Sequence, residues 1–244
     1  MYIIVGASSG VGRAIAEVFA SKGSDLCLVS REIRDTQAMA LDLNLRYGVS
    51  VSAVDLDLSK SKINFDEVLK VVAQAQANFK GVLFPAGAVS DIDTLAIDAF
   101  QIEKLINVNY QSICNLIIEV IRKAHKDCEM TFVGFGSVAA ARGRGLNMVY
   151  SSAKAALQFY FESLRHACVG KPIIVQFYVL GYMDTNLAFA YNVPFPKGDP
   201  KKMAENLFRN INKDIGVVYY PWWWSLIVNM IDLVPWTVYK HLKF

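Results

Sequence analysis

The chain opens with an apolar run followed at once by a glycine-rich segment, and this arrangement constrains the fold more than any other feature. The run Tyr2–Val5 has the length and composition of a buried strand, and glycines stand at positions 6, 10 and 12. Glycines at these positions allow a sharp turn from strand to helix and a close approach of the backbone to a phosphate. The pattern therefore predicts a strand, a phosphate-binding turn and a helix.

Short apolar runs alternate with helical patterns along the rest of the chain. The helical patterns lie at about 12–22, before 47, and at 65–77, 100–123 and 150–167, and the strand-like runs are Tyr2–Val5, Leu26–Ser30, Val49–Val54, Gly81–Phe84, Met130–Gly134 and Ile173–Tyr178. Short buried strands separated by helices are typical of a parallel sheet covered on both faces. We therefore expect an α/β fold of the Rossmann type, with a doubly wound parallel sheet of about seven strands flanked by helices, in one domain spanning 1–244.

Composition excludes several classes of function. The chain is 54% hydrophobic and 19% charged, which argues against disorder. Its formal charge of +3 and the absence of a basic tract interleaved with aromatics argue against a nucleic-acid partner. The four cysteines form no C-x-x-C pair and the three histidines lack metal-ligand spacing, so we expect no metal and a reducing compartment. The chain begins as a strand with no room for a signal peptide, so we expect a cytoplasmic protein.

A second motif lies in the second half of the chain. Tyr150 and Lys154 stand four residues apart in a helical pattern, and Ser137 precedes the tyrosine by thirteen residues. The spacing places both side chains on one face of a helix, where the ammonium favours the phenolate form of a group that ordinarily titrates near ~10. Ser137, at the end of a strand, could donate a hydrogen bond to a substrate oxygen. This set predicts proton transfer at a carbonyl or an alcohol.

Together, and in this order, the two motifs resemble the short-chain dehydrogenase/reductase family from the start of the chain to about Thr185. The resemblance implies an oxidoreductase that interconverts a ketone and a secondary alcohol by hydride transfer from or to NAD(P). It implies catalytic roles for Asn109, Ser137, Tyr150 and Lys154, with Asn109 holding a water that links the lysine to solvent. The cofactor-binding positions that it implies are Gly6, Ser8, Ser9, Gly10, Val11, Gly12, Ser30, Arg31, Asp57, Ala86, Gly87, Tyr150, Lys154, Gly181, Met183 and Thr185.

Within this resemblance, the residues after the second strand indicate the cofactor. A basic side chain at that place pairs with the 2′-phosphate of NADP(H), and this chain has Ser30-Arg31. NADP(H) is therefore favoured, although the adjacent Glu32 keeps NAD(H) open. Asp57 resembles the residue that contacts the adenine amino group, with Asp55 as the competing candidate.

Three residues, at two places in the chain, depart from the family pattern. Phe84-Pro85 stands where two asparagines precede Ala86-Gly87, and Leu180 stands where a proline precedes Gly181. The hydrogen bonds made by those asparagines must therefore be absent or come from other groups.

The segment from Gly136 to Asn147 and the C-terminus resemble a branch of the family that includes the decaprenylphosphoryl-ribose epimerase reductase subunit, which reduces a keto-sugar carried on a polyprenyl phosphate. Arg142 and Arg144 would suit a phosphate on the substrate, or belong to a solvated loop. We expect a lipid-linked keto-sugar or another amphipathic substrate. The alternatives are a soluble small carbonyl metabolite, or a non-catalytic nucleotide-sensing or scaffold protein.

The tail, residues 219–244, is rich in aromatic side chains. Its continuous apolar run is shorter than the roughly 20 residues needed to span a bilayer. It could lie in the membrane interface as a peripheral contact at the inner face, cap the substrate pocket, or form a subunit contact. Residues 186–218 are expected to form a substrate lid, and the resemblance implies a homodimer or homotetramer.

Overall fold

Seven strands form one sheet in a computed structural model that describes residues 1–125, 128–185 and 195–242. The strands are β1 Tyr2–Val5, β2 Leu26–Ser30, β3 Val51–Asp55, β4 Gly81–Phe84, β5 Met130–Ser137, β6 Ile173–Leu180 and β7 Val217–Tyr220. Their order is β3-β2-β1-β4-β5-β6-β7, and all neighbours are parallel. The predicted doubly wound sheet is confirmed. The order reverses between β1 and β4, so a crevice is expected at their carboxyl ends.

The described helices flank this sheet. They are α1 Gly10–Ser21, α2 Ile33–Tyr47, α3 Asp66–Ala75, α4 Ala99–Ile106, α5 Ser112–Lys123, α6 Met148–Ala167, α7 Pro200–Asn210, α8 Trp224–Leu233 and α9 Trp236–Tyr239. The helix predicted over 100–123 is divided, because a π-type turn at Asn107–Gln111 separates α4 from α5. Such turns are frequent at functional sites, since the extra residue redirects nearby side chains.

Alternate strand residues enter two apolar cores, one on each face of the sheet. In β1, Ile3 and Val5 belong to one core, and Tyr2 and Ile4 belong to the other. Helices α3, α5 and α6 cover the first core, and α1, α2 and α7 cover the second. Burial on both faces explains why the strands are nearly continuous apolar runs in the sequence.

The region expected to form a lid, 186–218, contains regular structure in its second half. Helix α7 packs on α1 and buries Met203, Ala204 and Leu207, and β7 adds the last strand beside β6. Residues 186–194 lie outside the described part of the chain, and a parallel bridge joins Met183 to Gly198. A lid role therefore stays a prediction, and only for the segment before α7.

The tail folds against the body of the domain as α8 and α9. Trp224 and Val228 are buried on one side of α8, whereas Leu226, Met230 and Leu233 are exposed on another. The spacing of these three exposed residues is that of one helical face. None of the helices described is both long enough and apolar enough to cross a membrane.

Candidate active site

A cleft of about 750 Å³ opens at the carboxyl ends of the strands. Its walls come from the ends of β1, β2, β5 and β6, from the loops that follow them, and from the loops after β3 and β4. The residues predicted to be catalytic or cofactor-binding all line it, except Gly12 and Asn109. The fold thus brings the two distant sequence motifs together in one cleft.

Two glycines shape the turn between β1 and α1. Gly6 has a φ of +95°, and a Cβ built there would lie 2.5 Å from the backbone of Ala86, so a side chain is excluded. A Cβ on Gly12 would lie 2.2 Å from the carbonyl oxygen of Gly6. Gly12 is therefore needed for the close packing of the helix on the turn, although it does not line the cleft.

The start of α1 is arranged to receive an anion. Ser9 caps the helix by accepting a hydrogen bond from the N–H of Gly12 at 2.9 Å. The N–H groups of Gly10 and Val11 belong to the first turn and have no acceptor within the helix, and both residues line the cleft. With the positive end of the helix dipole, these donors fit the pyrophosphate of a dinucleotide.

Two arginines lie near the end of β2, and the sequence predicts only one of them. Arg31 has its Nε 3.3 Å from a carboxylate oxygen of Glu32 in an exposed ion pair. Arg13, in α1, donates from Nε to the carbonyl oxygen of Ser8 at 3.1 Å and lies 3.9 Å from Asp35 at the start of α2. Both arginines line the cleft. The position of Arg13 in the first turns of the helix after the glycine motif could have indicated it.

Asp57, rather than the alternative Asp55, lines the cleft after β3. The hydroxyl and the N–H of Ser59 both donate to Oδ1 of Asp57, at 2.7 and 2.9 Å. Burial alone would raise the pKa of the Asp57 carboxyl, but these hydrogen bonds and the charge of Arg31 lower the pKa below its usual value. The carboxylate is therefore a suitable acceptor for an amino group of a ligand.

Lys154 is buried on α6, one turn after Tyr150. Its Nζ donates to the carbonyl oxygens of Ala86 and Phe135, at 3.1 and 3.0 Å. Burial lowers the pKa of the Lys154 ammonium to about 8. The ammonium is thus held by the ends of two strands, and it releases its proton more easily than an exposed lysine.

Asn109 lies in the π-type turn and is fully buried. Its Oδ1 accepts from the N–H of Ala88 at 3.1 Å, and its Nδ2 donates to the carbonyl oxygens of Ala88 and Leu105 at 2.8 and 2.9 Å. A Cβ on Gly87 would lie 3.3 Å from Oδ1 of Asn109 and 3.4 Å from Nζ of Lys154, so the two side chains pack side by side against Gly87. The proton-relay role of Asn109 stays a prediction.

Ser137 ends β5 and lines the cleft together with Tyr150. The Ser137 hydroxyl oxygen accepts from the N–H of Ala139 at 3.1 Å. Because a hydroxyl both accepts and donates, its proton can still be directed to a ligand oxygen.

The helix that carries Tyr150 is capped by a residue from a distant loop. The Asp93 carboxylate is 1% exposed and accepts from the N–H groups of Val149 and Tyr150, both at 2.8 Å. Asn147, at the ordinary capping position, makes no side-chain capping bond. No local pattern points to Asp93, since its partners lie 56 and 57 positions later.

The loop after β5 carries two arginines with different surroundings. Arg142 donates from Nη1 to the carbonyl oxygens of Ile231 and Val234 at 2.7 and 2.5 Å, and its guanidinium carbon lies 4.0 Å from the ring centre of Tyr239. Arg142 therefore holds the end of α8, and these contacts do not support the phosphate-binding role expected of it. Arg144, in contrast, lines the cleft.

An aromatic cluster from the tail lies beside the cleft. Trp224 stacks on Trp223 with ring centroids 4.8 Å apart and lies 5.0 Å from Phe195 and 5.8 Å from Tyr182, which lines the cleft. A Cβ on Gly181 would lie 1.9 Å from Nε1 of Trp224, so the indole packs directly on the backbone there. The first part of the tail thus supports a wall of the cleft.

A family model described as short chain dehydrogenase matches residues 1–192 of this chain. An uncharacterised oxidoreductase of Myxococcus xanthus is 25% identical over 234 residues, which cover 96% of this chain and 92% of that protein. A very-long-chain 3-oxoacyl-CoA reductase of Anas platyrhynchos is 25% identical over 205 residues, which cover 82% of this chain and 64% of that protein. The solved structure of a short-chain dehydrogenase from Sphingobium yanoikuyae in complex with NADPH shares the fold, with a TM-score of 0.80, 21% identity and coverage of 99% of this chain and 96% of that chain.

Proposed function

Since this chain belongs to the short-chain dehydrogenase family and is an NAD(P)-dependent oxidoreductase acting on CH–OH or C=O groups, we propose that it uses NADP(H) to interconvert a ketone and a secondary alcohol on an amphipathic substrate. The observation that carries the proposal is the shared cleft. The glycine turn of α1 lines it, and so do Ser137, Tyr150 and Lys154. Cofactor binding and proton transfer, the two needs of this reaction, therefore meet in one place.

Three side chains would perform the proton chemistry. When bound, the cofactor supplies or accepts the hydride. Ser137 donates a hydrogen bond to the substrate oxygen, while Tyr150 gives its proton to that oxygen in reduction and takes it back in oxidation. Lys154 stabilises the phenolate form of the tyrosine. Its Nζ keeps this position because two backbone carbonyls hold it.

Arg31 and Arg13 support NADP(H) over NAD(H). Both line the cleft near the end of β2, and a guanidinium pairs with a phosphate through two hydrogen bonds. The ion pair between Arg31 and Glu32 is exposed and therefore weak, so a phosphate can replace the carboxylate.

The tail supports a substrate presented at a membrane face. Its large exposed apolar side chains in the described part are Trp222, Leu226, Met230, Leu233, Trp236, Val238 and Leu242. Indole and aliphatic groups of this kind bury shallowly at the headgroup boundary. One side of helix α8 packs beside the cleft, and another side is exposed, where it could contact the lipid headgroups. A relative named as a very-long-chain 3-oxoacyl-CoA reductase accords with a substrate that has a long apolar chain.

Two helices support assembly into a homodimer or homotetramer. Phe159 on α6 is 73% exposed, and Ile118 on α5 is 37% exposed. Large exposed apolar side chains on neighbouring helices suit a symmetric subunit contact. Sedimentation equilibrium of the full chain tests this expectation.

The proposed reaction is tested by following NADPH consumption with lipid-linked keto-sugars, long-chain 3-oxo esters and small soluble ketones. We expect turnover with a preference for the long-chain substrates. Tyr150→Phe, which removes only the hydroxyl, should lower kcat by at least about a hundredfold and change NADPH affinity far less. A preference for small ketones would contradict the amphipathic substrate. Tight NADPH binding by the wild type without turnover of any ketone would contradict the reaction and favour a nucleotide-sensing protein.

A further inference from the structure

The loop after β5 places one arginine, Arg144, in the cleft. Nε of Arg144 is buried and makes no hydrogen bond, and the Arg144 guanidinium forms no ion pair, among residues 1–125, 128–185 and 195–242. A desolvated cationic N–H without an acceptor is costly. An acceptor supplied by a ligand would remove that cost.

The position of Arg144 is defined, because contacts on the other side of its loop hold the loop in place. Arg142, two residues earlier, is bonded to the end of α8. The hydroxyl of Tyr239 donates to the carbonyl oxygen of Gly143 at 3.0 Å. A cation on a loop fixed in this way is organised before a ligand arrives, which reduces the entropic cost of binding.

Few acidic groups of the chain are placed to neutralise Arg144. Asp184 lines the cleft after β6, but its side chain is exposed to solvent. Glu32 and Asp57 line the cleft at the ends of β2 and β3, beside the arginines of the nucleotide end. The sequence from 186 to 194 contains no aspartate or glutamate. The counter-charge for Arg144 is therefore best supplied from outside the chain.

We infer that Arg144 binds an anionic group, a carboxylate or a phosphate, on the carbonyl substrate, an inference that rests on the proposed function. Arg144 lies in the loop that joins Ser137 to Tyr150, so the anion is bound on the substrate side of the reacting carbonyl. The pyrophosphate turn of α1 is a separate part of the cleft. A planar guanidinium binds either anion through two parallel hydrogen bonds. The substrate class is thus an oxo acid or a phosphorylated ketone.

The test uses matched pairs of ketones that differ only in the anion. One pair is a long-chain 3-oxo acid and its methyl ester, and the other is a phosphorylated ketone and its free alcohol. For the wild type we expect a higher kcat/KM for the anionic member of one pair, and that pair identifies the anion. Arg144→Gln should lower this preference at least about tenfold, mainly through KM. Arg144→Lys should keep part of it, and Arg122→Gln, a change at an exposed arginine of α5, should keep all of it.

A second readout does not depend on turnover. In the NADPH complex, the anionic ketone should protect residues 138–147 from hydrogen exchange, whereas its neutral partner should not, and Arg144→Gln should abolish the difference. Unchanged NADPH affinity in that variant shows that it folds and that Arg144 does not serve the cofactor. The inference would be overturned if the wild type showed the same kcat/KM and the same protection with both members of each pair. It would also be overturned if Arg144→Gln kept the wild-type preference for the anionic ketone. Failure to reduce any ketone would instead overturn the proposed function, and anion-dependent protection would still decide the role of Arg144.

Discussion

Asp93 and Tyr150 are joined by a hydrogen bond of 2.8 Å from the N–H of the tyrosine to the aspartate carboxylate. Because Asp93 also accepts from Val149, it fixes the first turn of the helix that presents the tyrosine. We expect Asp93→Ala to destabilise the fold by about 1–2 kcal/mol through loss of the cap. We also expect it to lower kcat about tenfold or more, since small displacements of a reacting group are costly. Urea unfolding and steady-state kinetics measure the two effects.

Asp98 offers a matched control for Asp93. It caps α4 from an exposed position by accepting from the N–H of Gln101 at 2.8 Å. Asp98→Ala should lower stability by a similar or smaller amount and leave kcat unchanged. If both variants lose stability but neither loses turnover, Asp93 supports the fold alone and does not position Tyr150.

Lys154 should give the enzyme a distinctive dependence of stability on pH. Burial lowers the pKa of its ammonium to about 8, from an ordinary value of 10.5. Below about pH 8 the folded and the unfolded protein both carry the proton on Lys154, so the cost of burying the charge is fully present. Between these two pKa values the unfolded protein binds more protons than the folded protein, so the free energy of unfolding rises with pH. The difference between the two pKa values corresponds to roughly 3 kcal/mol in the free energy of unfolding.

The comparison is made with Lys154→Met by urea unfolding at about pH 7 and about pH 10. The free energy of unfolding of the wild type should rise by up to roughly 3 kcal/mol relative to that of the variant. Lys123→Met, a change at an exposed position of α5, serves as the control and should show no such divergence. Parallel curves for the wild type and Lys154→Met would show that the buried ammonium is not the source.

Arg31 should determine the preference between the two nicotinamide cofactors. We expect Arg31→Ala to weaken NADPH binding by about ten- to a hundredfold and to leave NADH binding nearly unchanged, because only NADPH carries the 2′-phosphate. Arg13→Ala should have a smaller effect in the same direction. Fluorescence titration of both cofactors checks this, and an equal loss of affinity for NADH and NADPH would remove Arg31 from its assigned role.

The exposed face of α8 should bind membranes. Replacement of Leu226, Met230 and Leu233 together by serine removes that apolar face and should lower affinity for vesicles of anionic phospholipid by at least about tenfold. Leu41 and Leu45 on α2 are 64% and 87% exposed, so their replacement by serine is the matched control. Co-sedimentation provides the measurement. Failure of the wild type to bind vesicles would contradict the membrane contact.

The sheet could be predicted because its central strands are buried on both faces and are therefore apolar runs in the sequence. The last strand, Val217–Tyr220, is not among the six runs identified in the sequence, because it lies at the sheet edge, is only partly buried and is therefore less distinct as an apolar run. The division of the helix at Asn107–Gln111 could not be predicted, because helical periodicity continues through it. That break accompanies the bonds of Asn109 with Ala88, a contact that only the tertiary structure reveals.

In the candidate site, too, the sequence predicts what local spacing defines and not what distant contacts define. The glycines and the pair Tyr150 and Lys154 are visible because local spacing alone defines their geometry. Arg142 and Arg144 have the same chemistry and stand two positions apart, yet Arg142 meets carbonyl groups 89 and 92 positions later and Arg144 faces the cleft. The different surroundings of Arg142 and Arg144 cannot be predicted from their spacing in the sequence.

The hydrogen bonds from Arg142 to the end of α8 join the loop after β5, which lies at the active site, to the tail. A chain cut before the tail would lose the last residues of β7 as well, and would leave the Arg142 guanidinium without the acceptors it uses. Exchange of tails between relatives, in evolution or in protein engineering, would therefore have to keep two backbone carbonyls within reach of residue 142. The active-site loop and the tail are for this reason not separable modules in this chain.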